Sequence, residues 1–185
     1  MAGFLAWGGV APAAAQNANP GLVGIDRMRM AMGLLASETN RRACNITAEL
    51  EQAMVRRLRI GPSGIGVSIP EQMRIVQPSP GHNVHVAQPN DRALPLFFVS
   101  VSALAVTVGQ TTICSYSVMA KVDVRVSGQS GATGRTMDQE VGVWFFDRLY
   151  SGTPDTFAAD LSASMETVGQ ELAAAVRNAA PGKQR

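Results

Sequence analysis

The chain has 185 residues, of which 46% are hydrophobic and 16% are charged, and its formal net charge is +2. These values predict a globular protein with one domain and a single core. The small net charge argues against nucleic-acid binding and against strong attraction to a membrane surface. Five arginines cluster around one predicted helix, at Arg41, Arg42, Arg56, Arg57 and Arg59. No basic motif or interleaved aromatic accompanies them, so we interpret them as a solvated face, with an anionic partner as the alternative.

The N-terminal sequence predicts export. The stretch "GFLAWGGVAPAAAQ" is apolar, and Ala13, Ala14 and Ala15 before Gln16 fit the small residues of a signal-peptidase site. We therefore predict a secretory signal peptide over residues 1–15 and a polar linker over 16–23. An apolar, disordered leader is the alternative, because no Lys or Arg precedes the apolar run. No later segment offers about twenty consecutive apolar residues, so we expect no transmembrane span. Together with the predicted signal peptide, this indicates a periplasmic location.

The two cysteines are predicted to form a disulfide. In "ICSYSVMAKVDVRV" apolar residues occupy every second position from Cys114, which is typical of a half-buried strand and directs Cys114 inward. Cys44 is the only other cysteine. An exported chain with two cysteines most simply pairs them. The alternative is two buried free thiols, whereas a zinc site lacks any CxxC spacing.

The first half of the chain predicts a strand, a helix and a second strand. Alternating apolar residues predict a first strand over 24–35, with core positions Met28, Met30, Met32 and Leu34. A helix follows over 46–60, capped by Asn45 or Thr47 and ended by Gly61-Pro62. "GIGVSI" predicts a second strand over 64–69. Its glycines form no GxGxxG fingerprint and no P-loop lysine follows, so no nucleotide cofactor is expected.

Residues 70–95 are predicted to be a proline-rich loop or a projecting arm, with a β-hairpin as one form of that arm. The chain's only histidines, His82 and His85, lie here. They are weak candidates for metal ligands, because residues three apart in a strand face opposite sides and no cysteine or carboxylate cluster accompanies them. We therefore predict no metal site.

The second half contains the clearest patterns. Two β-rich runs meeting at Gly109-Gln110 predict an antiparallel hairpin over 96–108 and 111–127, and "QEVGVWFFD" predicts another strand over 139–147. A long helix starts after Thr153, and its apolar residues recur at three- and four-residue intervals up to "PGK". We expect this helix to pack on the sheet, with a coiled-coil partner as the alternative.

These elements predict an α+β fold in the order β-α-β-β-β-β-α. An antiparallel-rich sheet of about five strands would carry two helices on one face, in a single domain over 24–180 with a tail at 181–185. The other sheet face would then be free. The runs "LFF" and "WFF" place aromatics at both parities, so each strand must direct a large ring away from the helices. The predicted partner-binding residues are Leu96, Phe97, Phe98, Trp144 and Phe146. The alternative is that the loop over 70–95 folds back over these rings.

We interpret the chain as an exported, non-enzymatic binding or assembly module, an accessory subunit of a cell-envelope complex that docks protein partners through these aromatics and the arm. A fold-level analogy to small periplasmic α+β modules supports this interpretation, and it assigns no functional residue. The first alternative is a periplasmic carrier of a small ligand or metal that uses His82 and His85. The second is a hydrolase, for which no nucleophile, metal or cofactor motif is found.

Overall fold

The computed structural model describes residues 20–87, 93–129 and 136–179. The elements in chain order are β1 (Arg29–Leu35), α1 (Glu38–Ala43), α2 (Ala48–Gly64), β2 (Met73–Ser79), β3 (His82–Ala87), β4 (Leu96–Val108), β5 (Thr111–Gln129), β6 (Thr136–Gly152) and α3 (Pro154–Ala179). A 3-10 turn at Pro20–Leu22 precedes them. The α+β class is therefore confirmed, with one sheet of six strands and two long helices.

The sheet has the order β2-β3-β1-β4-β5-β6. Strands β1 and β4 are parallel, and the other neighbouring pairs are antiparallel. A parallel pair needs a long crossover connection, which here contains α1, α2 and the β2–β3 hairpin. Strands β4, β5 and β6 then follow one another as the predicted antiparallel meander.

The core lies between one face of the sheet and the two long helices. Alternate residues of β4 and β5, such as Val99 and Val118, are fully buried and belong to one cluster with the apolar stripe of α3. The helices cross closely at glycines, since a Cβ on Gly169 would lie 2.5 Å from the carbonyl oxygen of Leu58. The opposite face of the sheet, which we call the outer face, carries no helix among the described residues.

The predicted disulfide between Cys44 and Cys114 is confirmed. Cys44 caps the C-terminus of α1, Cys114 points inward from β5, and their Cα atoms are 5.8 Å apart. The bond joins residues 70 positions apart in the sequence and is fully buried at both ends. In the chain-entropy account, closing a loop of that length contributes about 4 kcal/mol to stability. The bond therefore ties the connection between α1 and α2 to strand β5 of the sheet.

The predicted strand over 64–69 is wrong. Helix α2 continues through Pro62 to Gly64, because proline already has a helical φ and loses only one backbone hydrogen bond in the last turn. Beyond it, Ser68 makes only an isolated bridge with Arg27. The cap of α2 is Thr47, whose hydroxyl accepts a hydrogen bond from the N–H of Leu50 at 3.2 Å.

Other elements differ in extent. The first strand begins at Arg29 rather than residue 24, β6 is longer than the predicted 139–147 at both ends, and the short helix α1 was not predicted. Residues 73–87 form a hairpin whose second strand pairs with β1, so this part of the predicted loop or arm lies within the sheet. The predicted signal peptide at 1–15 and tail at 181–185 lie outside the described residues. Among the described helices, none is long and apolar enough to cross a membrane.

Candidate functional site

Phe97 is a core residue, and its predicted role as an exposed docking residue is wrong. It pairs with Met30 of β1 and Val122 of β5, both of which face the helices, and its side chain is fully buried. Its ring meets that of Trp144 edge-on, with the centroids 6.2 Å apart. A ring packed in this way contributes to stability and presents no surface to a partner.

Trp144 and Phe146 also face the helix layer. They pair with Val122 and Ala120, whose side chains are fully buried. Because β6 is the last strand of the sheet, both rings are only partly buried and pack at the margin of the core. They stack on each other with a centroid distance of 6.3 Å.

The outer face holds Leu96 and Phe98, which are half-buried, and Phe145, which was not among the residues predicted from the sequence to bind a partner. Phe98 and Phe145 lie on either side of Lys121, and the Lys121 ammonium is 6.0 Å from the Phe98 ring centre. Phe145 is 69% exposed and Leu149, four residues further along β6, is 77% exposed. The middle residue of "WFF" has the opposite parity to its neighbours, and this signal was sufficient to identify it.

Strand β6 forms a long apolar edge, which we call the β6 edge and define as residues 144–150. No other described strand pairs with its free side. Side chains on its outer face include Phe145 and Leu149, and those on its helix side include Trp144, Phe146 and Tyr150. Proteins usually protect such edges with charges, prolines or bulges. Here the only charges are Asp147 and Arg148, and the Arg148 guanidinium lies 5.6 Å from the Phe146 ring centre.

The two histidines lie on opposite faces of the sheet. His82 pairs with Leu35 on the outer face, whereas His85 pairs with the buried Met32 and faces α2. They therefore cannot bind one metal ion together, and the described residues contain no group of three or more His, Cys, Asp or Glu that could hold one.

A buried polar network that was not predicted from the sequence connects α2 to strand β3. Glu51 of α2 is 2% exposed. Its carboxylate contacts His85 Nε2 at 2.8 Å and accepts two hydrogen bonds of 3.1 Å from the Asn83 amide. Arg41 of α1 donates from Nη1 to the same carboxylate, while its buried Nη2 has no partner among the described groups. We call these four residues the Glu51 network.

The Glu51 network keeps its carboxylate ionised. Burial alone would raise the pKa of Glu51, but the hydrogen bonds from His85, Arg41 and Asn83 and the Arg41 charge outweigh burial and lower it from 4.5 to about 2. An ionised carboxylate only accepts hydrogen bonds, so His85 must be protonated at Nε2.

Comparisons with known proteins found no matching family model, no matching curated protein and no matching solved structure.

Proposed function

We propose that the protein is an exported, non-enzymatic binding or assembly module that accepts an extended strand of a partner protein along the β6 edge. The observation that carries this proposal is the edge at residues 144–150, which has no partner strand within the described part of the chain and has apolar side chains on both of its faces. The partner segment would itself alternate, with apolar residues directed to both faces, because it must cover Phe145 and Leu149 on one side and Trp144 and Phe146 on the other.

The physical basis is β-strand addition. An incoming strand would satisfy the free N–H and C=O groups of β6, and its side chains would give specificity. Complete burial of a large apolar side chain is worth about 1.5–3 kcal/mol, and Leu149 and Phe145 have most of their surface still to bury. Asp147 and Arg148 would fix the register through the charges opposite them.

The proposed compartment is the cell envelope, and the proposed role is that of an accessory subunit of an envelope complex. The buried disulfide supports an oxidising compartment. The stretch at residues 1–15, read as a secretory signal, supports export to the periplasm. A non-enzymatic role is supported by the histidines, because neither is hydrogen-bonded to a hydroxyl or thiol within the described residues.

The first prediction tests the edge with one charge. Leu149→Lys places a charge where the partner strand must pack, so we expect it to weaken binding at least about tenfold, since a buried unpaired charge costs several kcal/mol. Leu104→Lys is the matched control, because Leu104 is 53% exposed on the outer face of β4, two strands from the edge. Partners co-purifying with tagged protein from solubilised envelopes would be identified by mass spectrometry, purified and titrated calorimetrically against both variants.

Hydrogen exchange locates the contact. We expect amides of residues 144–150 to gain protection on binding, and the thermal unfolding of both variants to match that of the parent protein. Equal affinities for the Leu149→Lys and Leu104→Lys variants, or protection confined to other strands, would refute docking at the β6 edge. A protein that elutes without any near-stoichiometric partner would count against an assembly role.

A further inference from the structure

A cleft of about 240 Å³ lies at the other edge of the sheet, between α2 and the β2–β3 hairpin. Its walls include Arg56 and Arg59 of α2, Glu71 of the segment before β2, Met73 and Ile75 of β2, and His85 of β3, so two arginines face one carboxylate. A cleft of this size suits a small organic molecule.

His85 gives this cleft a defined polar group. Its Nε2 is engaged by Glu51, and its Nδ1 has no hydrogen-bond partner among the described residues. In the tautomer that carries its single ring proton on Nε2, toward Glu51, Nδ1 of His85 is an acceptor. A ligand group that donates a hydrogen bond, such as a hydroxyl, matches this nitrogen.

The two arginines of the cleft differ in what holds them. Arg59 donates from Nη2 to the carbonyl oxygen of Ile69 at 3.0 Å and from Nη1 to that of Glu71 at 3.5 Å, which fixes it against the segment after α2. Arg56 forms no hydrogen bond or ion pair with any described side chain, and it is exposed. Its guanidinium is thus available to a carboxylate, which it can bind in a bidentate manner.

We propose that this cleft is a binding site for a small organic acid that also carries a hydroxyl group. Arg56 would pair with the ligand carboxylate, His85 Nδ1 would accept from the hydroxyl, and a short apolar tail would lie against Val55, Met73 and Ile75. The site lies at the opposite edge of the sheet from β6, so it does not depend on the proposed docking of a partner strand.

The second prediction concerns three probe molecules: 2-hydroxyhexanoate, hexanoate and hexanamide. Titrations of the isotopically labelled protein followed by NMR should give saturable shifts at residues 52–59 and 73–85. The hydroxy acid should bind at least about tenfold tighter than the amide, because a hydrogen bond to a charged group contributes about 1.5–3 kcal/mol. Hexanoate should bind with intermediate affinity, because it lacks only the donor for His85.

Three variants separate the site from its surroundings. Arg56→Gln should weaken binding of the hydroxy acid about tenfold. Arg42→Gln, the same charge change at an exposed ion pair outside the cleft, should leave the affinity unchanged. Ile75→Glu places a negative charge at a side chain that is 58% exposed, so it should abolish binding without unfolding the domain. Shifts that do not saturate at about 10 mM, or equal binding to the Arg56→Gln and Arg42→Gln variants, would overturn the proposal.

Discussion

The two sides of the sheet are joined to the helix layer by different chemistry. At the β3 side, the Glu51 carboxylate holds Asn83 and His85 by hydrogen bonds, with Arg41 supplying the opposite charge. At the β6 side, aromatic rings pack on the core, and Tyr150 stacks on Tyr116 with centroids 4.9 Å apart. The first attachment is directional and charged, whereas the second consists mainly of buried apolar area.

This difference determines which substitutions destabilise each attachment. In a buried ionic network, removal of one member leaves the others desolvated and unpaired, so the loss exceeds the value of the interaction itself. In an aromatic cluster, loss of one polar atom leaves the ring contacts intact. We therefore expect conservative substitutions to be costly at the β3 side and mild at the β6 side.

The largest expected effect on stability is that of Glu51→Gln. The change keeps the shape of the side chain but leaves the guanidinium of Arg41 buried without its counter-ion, so unfolding in urea at pH 7 should require about 3 kcal/mol less free energy. Glu38→Gln is the matched control, because Glu38 and Arg42 form an exposed pair that should be worth under about 1 kcal/mol. A loss at residue 51 no larger than that at residue 38 would show that the Glu51 network contributes no more than an exposed ion pair.

The next prediction is the pH range in which the stability difference between the parent protein and the Glu51→Gln variant disappears. The folded-state pKa of Glu51 is lowered from 4.5 to about 2, so its contribution is fully present above pH 4.5 and is lost as the pH falls toward 2. The stabilisation lost over this range is about 3 kcal/mol, because each unit by which the pKa is lowered corresponds to about 1.36 kcal/mol. Urea midpoints of the parent protein and the Glu51→Gln variant should therefore converge near pH 2. If the difference between the two urea midpoints stays constant from pH 7 to pH 2, ionisation of Glu51 is not the source of the stabilisation.

Much of the meander and α3 could be predicted because their signals are local. The period of two in β4 and β5 and the three- and four-residue spacing in α3 each depend on neighbours along the chain. The hairpin at 73–87 was less clear, because Pro78 and Pro80 resemble loop residues. Strand β2 tolerates Pro78 since it is an edge strand, and its register shifts between Val76 and Ser79.

The Glu51 network required information that the sequence does not hold locally. Glu51 lies three residues before Met54 and seven before Leu58, so it occupies the buried stripe of α2, and this spacing was an available signal. Its partners Asn83 and His85 are 32 and 34 residues away, and only the sheet order brings β3 beneath α2. Similarly, the choice between Phe97 and Phe98 as the inward ring depended on the register between β4 and its neighbours.

The smallest expected effect is that of Tyr116→Phe in the aromatic cluster. The Tyr116 hydroxyl donates to Ser164 Oγ at 2.8 Å, because Ser164 itself donates to the carbonyl oxygen of Asp160. The substitution removes one neutral hydrogen bond but keeps the ring contacts with Tyr150 and Phe157, so the free energy of unfolding should fall by about 1 kcal/mol. Tyr150→Phe is the control, since Tyr150 is half-buried and its hydroxyl has no hydrogen bond to a described residue, so its loss should change stability by under about 0.5 kcal/mol. If Tyr116→Phe costs as much as Glu51→Gln in the same urea experiment, the aromatic edge is as directional as the ionic one, and the distinction between the two attachments is wrong.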